Sequence, residues 1–220
     1  MIEDLHYKQL ILNSQKQGLV VAGTDECGKG SIFGPVVAAA VILPPDFYHP
    51  DIDDSKKITQ SQREVLSKII KENAVSYSIR ETGVADITEM NILQASLWTM
   101  YKAIIDLNQY PNVVFIDGQY KILDLSQDIQ QHTIIRGDQK ILMIAAASIL
   151  AKNYSDELME NFDQQYPQYN LKSNKGYGSA EHLLAIKTHG ITPHHRTTFG
   201  PVASLLNKTT SRTFKIKEKN

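Results

Sequence analysis

The chain of 220 residues is 42% hydrophobic and 21% charged, with a formal net charge of −1. This profile suits one soluble globular domain and excludes a globally basic nucleic-acid binder. A single cysteine, Cys27, excludes an intrachain disulfide and any multi-cysteine metal site. Glu3 and Asp4 stand where a signal peptide needs basic residues, and no apolar run nears the ~18 residues of a membrane span. The expected location is the cytoplasm, with no membrane partner.

In chain order, residues 1–17 are a polar lead-in, with Leu5, Leu10, Ile11 and Leu12 suited to one side of a short helix. Residues 18–25 read as a strand. Residues 35–43 form a near-continuous apolar run that fits a strand buried on both faces. The glycine-bearing connection suggests that the two strands pair as a hairpin, and Pro44-Pro45 ends the second. After an acidic loop at 46–54, a helix is expected. Ser61 and Glu64 stand at capping-box spacing, and Val65, Leu66, Ile69 and Ile70 recur at helical intervals.

Residues 75–82 read as a third strand and 88–107 as a longer helix. Its apolar face comprises Met90, Leu93, Leu97, Met100, Tyr101 and Ile104. Trp98 lies off that face and suits packing. Residues 113–116 form a short strand ending at Asp117-Gly118, and 132–136 another ending at Gly137-Asp138. The helix expected over 141–165 begins alanine-rich (Ala145-Ala146-Ala147), which implies close approach to a neighbouring element. A polar loop at 170–178 precedes a helix over 180–189, ended by Gly190, and 209–220 is a basic, polar tail. The fold class is α/β, a mixed sheet covered by helices, with a small helical part from about residue 170.

The stretch Asp25-Glu26-Cys27-Gly28-Lys29-Gly30 carries the strongest chemical signal. Neighbouring side chains on a strand point to opposite faces. Both acids therefore meet one site only where the strand ends and bends, as Gly28 and Gly30 permit. Asp25, Asp117 and Asp138 each fall at the expected C-terminal end of a strand, where ligands gather in open α/β sheets. With Glu26 they make a cluster of four carboxylates whose mutual repulsion a divalent cation removes. An all-oxygen donor set selects Mg2+ or Mn2+ over zinc. Two such ions about 4 Å apart clamp the attacking and leaving oxygens of a displacement at phosphorus. The bare glycine backbone beside Lys29 suits an approaching phosphate. Taken singly, each aspartate reads more readily as a cap of a helix or turn; together they read as a cluster.

These stretches, in order, resemble the ribonuclease HII family. The resemblance runs through 25–30 with Gly34-Pro35-Val36-Val37-Ala38-Ala39-Ala40, Asp54-Ser55-Lys56-Lys57, Asn91-Ile92-Leu93-Gln94-Ala95 and Ile116-Asp117-Gly118. It continues through Gly137-Asp138, residues 145–152, Lys175-Gly176-Tyr177-Gly178 and Pro193-His194-His195-Arg196. It covers residues 18–206, leaving 207–220 as a tail. It implies a ribonuclease H-like fold: a five-stranded mixed sheet flanked by helices, with a helical C-terminal extension. It also implies a monomeric endonuclease acting on RNA–DNA hybrids and on DNA containing single ribonucleotides, by two-metal-ion hydrolysis with Mn2+ or Mg2+.

By position, Asp25, Glu26 and Asp117 match the family's metal-binding acids and Asp138 its fourth carboxylate. Gly28, Lys29 and Gly30 match the loop that reads the ribose 2′-hydroxyl. Tyr177 matches the tyrosine packed on the sugar at the ribo-to-deoxyribonucleotide junction, and Lys56, Lys57 and Lys175 are placed for phosphates. The chain departs from the family at Cys27 and Lys29, usually alanine and arginine, and at Asn174 and Ser155, usually histidine and arginine. Cys27 suits packing as a small hydrophobe, Asp156 a structural hydrogen bond, and His194-His195 lacks the partners of a metal site. Rival expectations are a ribonuclease HIII-like nuclease, disfavoured because only residues 1–17 precede the first strand, and a hybrid-binding protein that has lost catalysis. No processivity partner is legible.

Overall fold

The apolar run becomes β2 (Val36–Ile42), buried along its whole length. It pairs antiparallel with β1 (Val21–Cys27), from Gly23 opposite Val41 to Cys27 opposite Val37. The computed structural model describes residues 5–52 and 58–207; the basic tail lies outside them. β3 (Ser76–Thr82) extends the hairpin antiparallel to β2, while β4 (Val113–Asp117) and β5 (Gln130–Ile134) add in parallel on the other side of β1. The five-stranded sheet has the order β3-β2-β1-β4-β5. β1 is therefore central, and it is the strand at which antiparallel pairing gives way to parallel.

Helices cover both faces. Val21, Val37, Ala39, Val113 and Phe115 face α4 (Leu142–Gln165) and α2 (Gln60–Asn73). Ala22, Ala38, Ala40, Val114 and Ile116 face α3 (Val84–Ile105). α1 (Leu5–Lys16) packs beside the first cluster. The short α5 (Leu171–Asn174), α6 (Ala180–His189) and a last helical stretch at 200–207 surround a third cluster around Phe33, Met159 and Tyr169. Among the described residues no helix is long and apolar enough to cross a membrane.

Several boundaries differ from the sequence expectation, each for a local reason. The capping box of α2 is Thr59 with Gln62 rather than Ser61 with Glu64. Val65 points to solvent, because the buried face of the helix runs through Arg63, Leu66, Ser67 and Ile70, with Ile69 at its edge. α3 starts earlier, at Val84, and is kinked at Asn91, whose φ of 67° and ψ of 164° interrupt the helix. The Asn91 Oδ1 accepts from the N–H groups of Leu93 and Gln94 at 3.0 and 3.1 Å, capping the second segment. The kink turns Ala95, Thr99, Met100 and Ala103 inward and leaves Leu93 and Leu97 half-buried. Trp98 stacks on Tyr101 at 5.0 Å, as packing required.

The alanine-rich start of α4 does lie against β1. A Cβ added to Gly23 would stand 2.5 Å from the Met143 carbonyl carbon and 2.7 Å from the Ile144 nitrogen. Backbone cannot yield as a side-chain tip does, so helix and strand meet at a separation only glycine allows. Gly23→Ala is expected to destabilise the fold by about 2 kcal/mol, read as a lowered midpoint of urea unfolding.

Candidate active site

Parallel pairing places Thr24 opposite Ile116, so Asp25 and Asp117 are the next neighbours on adjacent strands. By strand alternation both turn toward α4. The strand expected to end at residue 25 runs on through both acids to Cys27, and the backbone turns at Gly28. Glu26 nevertheless shares the site: its charge acts on both Asp25 and Asp117, and its backbone N–H donates to Asp25 Oδ1 at 2.7 Å.

Asp138 is not at a strand end. β5 stops at Ile134, Arg136 takes a left-handed conformation at φ 56°, and Gly137–Gln139 form a one-turn 3-10 segment leading into α4. The turn is what brings Asp138 in. The Gly137 N–H donates to Asp117 Oδ1 at 2.7 Å, which draws the segment against β4 and buries Asp138 nearby.

The acids feel one another. Burial first, then the charges of Glu26 and Asp117, push the Asp25 carboxyl well above its ordinary range, while a hydrogen bond from Ser148 on α4 opposes the rise. Burial also raises Asp117, against the Gly137 amide, and the charges of Glu26 and Asp138 add to the rise. A carboxyl raised in the folded chain keeps its proton where the unfolded chain has lost it. Stability therefore falls as pH rises from the unfolded toward the folded pKa, and at neutral pH the cluster stores repulsion.

Among the described residues, no three such groups stand close enough to cage an ion as they are. The donor set still fits a hard divalent cation. Glu26 Oε2 is buried with no hydrogen-bond partner among the described residues, the ligands are all oxygen, and added positive charge relieves the repulsion. Lys29 Nζ sits 2.5 Å from Glu26 Oε1 and supplies part of that charge.

The glycine turn follows directly. Gly28 has φ 88°, and the Ser31 N–H closes the turn onto the Gly28 carbonyl at 3.2 Å. Arg196, wholly buried, fixes it from beneath. Its guanidinium donates to the carbonyls of Gly28 at 2.8 Å, Lys29 at 3.2 Å, Gly34 at 2.9 Å and Pro35 at 2.9 Å. Burial lowers its pKa only to about 10, so it stays charged at neutral pH. With the carbonyls engaged, the N–H groups of Lys29 and Gly30 donate to no acceptor among the described residues.

Tyr177 covers this turn. Its ring lies 3.5 Å from where a Cβ on Gly30 would sit, and the residue remains 45% exposed. Lys175, in a left-handed conformation, turns its ammonium 3.5 Å from Glu160 Oε1 on α4 rather than standing alone. Lys56 and Lys57 lie outside the described residues. Asp156 is a structural group: it accepts from Arg63 at 3.0 Å and from Lys152 at 2.6 Å, tying α2 to α4.

Residue-by-residue reading missed Ser148 and Arg196 as parts of the site. Both stand inside stretches singled out from the sequence, but nothing in spacing alone says that Arg196 reaches back to residues 28–35. Removing the guanidinium deletes four hydrogen bonds, two of them buried, and leaves the Gly28 carbonyl only its Ser31 N–H, so Arg196→Leu is expected to cost about 3 kcal/mol or more. Arg196→Lys should recover only part of that loss, because one ammonium cannot span the four acceptors. Denaturant unfolding of both variants checks the order.

With this geometry in place, comparison with known proteins is informative. The sequence profile of Ribonuclease HII matches residues 22–202. A Ribonuclease HII of Endomicrobium trichonymphae is 46% identical over 189 residues, covering 86% of this chain and 89% of that one. The ribonuclease H2 of Pyrococcus horikoshii OT3 superposes with a TM-score of 0.70 at 23% identity, over 86% of this chain and 97% of its own. Bst-RNase HIII in complex with Mn2+ gives a TM-score of 0.68 at 20% identity, over 86% and 70%. The two structures confirm the fold, and the profile with the 46% identical relative establishes the lineage: the chain belongs to the ribonuclease HII family.

Proposed function

We propose that this ribonuclease H hydrolyses the RNA strand of RNA–DNA hybrids and incises 5′ of single ribonucleotides embedded in duplex DNA, leaving 5′-phosphate and 3′-hydroxyl ends. The observation that carries the reading is the adjacency of four mutually repelling carboxylates to a turn whose amides at Lys29 and Gly30 find no acceptor among the described residues, under Tyr177. The 2′-hydroxyl distinguishes RNA from DNA and both donates and accepts. A turn without side chains at Gly28 and Gly30 lets backbone groups approach it closely. Tyr177 offers a flat apolar face to the adjoining sugar. Lys29 beside Glu26, and Lys175 at the rim, add positive charge where phosphates pass, which positions a duplex without reading its sequence.

Asp25, Glu26, Asp117 and Asp138 would hold two Mg2+ or Mn2+ ions, and the Mn2+ complex of Bst-RNase HIII supports that choice. When bound, such ions lower the pKa of an attacking water and stabilise the departing 3′-oxygen. The protein's part is to hold Asp25, Glu26 and Asp117 on two adjacent strands and Asp138 on the 3-10 turn, with Ser148 and the Gly137 amide fixing Asp25 and Asp117.

A duplex carrying one embedded ribonucleotide should be cut at its 5′ side in the presence of Mn2+; an intact strand after incubation with wild-type protein sinks the proposal. Asp117→Asn should abolish turnover while hybrid binding stays measurable. The same variant separates metal binding from folding. In chelator at pH 8 it should be at least as stable as wild type, since one repelling charge is gone while the oxygen facing Gly137 remains. With free Mn2+ at about 100 times its Kd, wild type should gain about 2.7 kcal/mol and the order should reverse. Thermal melts in the two conditions give the answer.

A further inference from the structure

Beneath Tyr177 lies a chain of hydrogen bonds that the proposed reaction does not use. The Thr192 N–H donates to His195 Nδ1 at 2.9 Å, His195 Nε2 meets His182 Nε2 at 3.2 Å, and His182 Nδ1 meets the Tyr177 carbonyl at 2.9 Å. Each end has a fixed polarity. A backbone N–H only donates, so His195 Nδ1 is an acceptor and carries no proton. A carbonyl only accepts, so His182 Nδ1 carries one. One proton is then left for the central contact. It sits on His195 Nε2 and is donated to His182 Nε2, which makes both imidazoles neutral and each a single tautomer.

A proton added to either ring faces a donor. On His195 Nδ1 it meets the Thr192 amide, and the Thr192 hydroxyl at 3.1 Å, which already accepts from the His194 N–H, would have to turn its own proton away; on His182 Nε2 it meets the His195 N–H. The surroundings oppose that proton as well. Both rings are wholly buried, packed on Phe33 and Tyr169, with ring centroids of Phe33 and Tyr169 at 4.9 and 4.8 Å from His195. Burial, with the neighbouring histidine, lowers His195 to about 4, and burial lowers His182. The ionisable groups facing the pair are His194 on the same loop, Tyr169 after α4, whose hydroxyl donates to the Gly190 carbonyl, and Tyr177 itself. Arg196 is turned to the glycine turn.

We propose that His182 and His195 are positioning residues, a relay of neutral imidazoles that sets Tyr177 against the glycine turn. The relay runs from the segment that also carries Arg196. The same segment bonds to the chain just after the turn, Arg196 N–H to the Ile32 carbonyl at 2.8 Å and Gly34 N–H to the His194 carbonyl at 2.8 Å. The Ile32 N–H in turn donates to the Gly176 carbonyl at 2.9 Å. One buried frame thus holds both walls of the ribose-reading cleft, and the relay ties that frame to Tyr177, whose N–H also donates to the Asn174 carbonyl and whose carbonyl also accepts from the Ser179 N–H, each at 2.9 Å. The role rests on the reading of Tyr177 as the junction residue given above.

The test has two arms on the full chain. In the first, ¹⁵N NMR of the imidazoles at pH 6.5 should find His182 protonated only on Nδ1 and His195 only on Nε2. A charged ring, or the opposite tautomer on either, overturns the relay whatever the variants do. In the second, the ratio of kcat/KM for a single-ribonucleotide duplex to that for a uniform hybrid is measured. His182→Leu should lower this ratio about 10-fold, while His182→Asn, whose amide nitrogen replaces Nδ1, should keep it within about 3-fold. In a Tyr177→Ala background His182→Leu should have no further effect. If Tyr177→Ala alone leaves the ratio unchanged, the junction reading of Tyr177 falls. If it lowers the ratio while His182→Leu does not, or if the two effects simply add, the relay falls.

Discussion

The separation between β1 and α4 governs the acidic site, and the missing side chain of Gly23 sets that separation. Because the first turn of α4 touches the strand there, Asp25 two residues on is buried against the helix, within reach of Ser148. The 3-10 turn that carries Asp138 is the lead-in to the same helix and is drawn against Asp117. A wider helix-to-strand gap would admit water between the carboxylates and weaken the coupling among them. Close packing of small residues is thus an electrostatic device as much as a structural one.

A second constraint comes from the far end of the chain. Arg196 spends its guanidinium on backbone carbonyls rather than on a carboxylate. Four oriented dipoles compensate the buried charge, and in return the turn at 28–30 loses its freedom. A preorganised turn presents its amides without a further ordering cost on binding. The aromatic cluster around Phe33 fills the space beneath, where the helical C-terminal part meets the sheet domain.

The departures from the family pattern acquire physical meanings. Cys27 alternates with Asp25 onto the α4 face, where it meets Ser155, and burial pushes its thiol up. It is a protonated, packed side chain at neutral pH, and its partner is another of the departing positions. Asn174 holds the turn before Tyr177 directly: its amide nitrogen donates to the Tyr169 carbonyl at 2.6 Å and its oxygen accepts from the Gly176 N–H at 2.9 Å. Lys29, in place of arginine, reaches Glu26 three residues back along the chain.

The sequence by itself determined the hairpin, the alternation of strands and helices, and the identity of the four acids. Those features are written in local patterns: apolar runs, helical spacing, and carboxylates beside glycines. It also carried the family resemblance through the order of short motifs. It did not determine the boundaries at Asn91, Thr59 and Ile134, where single side-chain caps and turns compete within a few residues. Nor did it determine that Asp138 arrives on a 3-10 turn, or that Lys175 pairs with Glu160. Above all it was silent on Arg196 and on the His182–His195 pair. The contacts that join His182 to His195 and Arg196 to Gly28 span 13 and 168 positions along the chain, and such hydrogen bonds exist only once the fold has brought their two ends together.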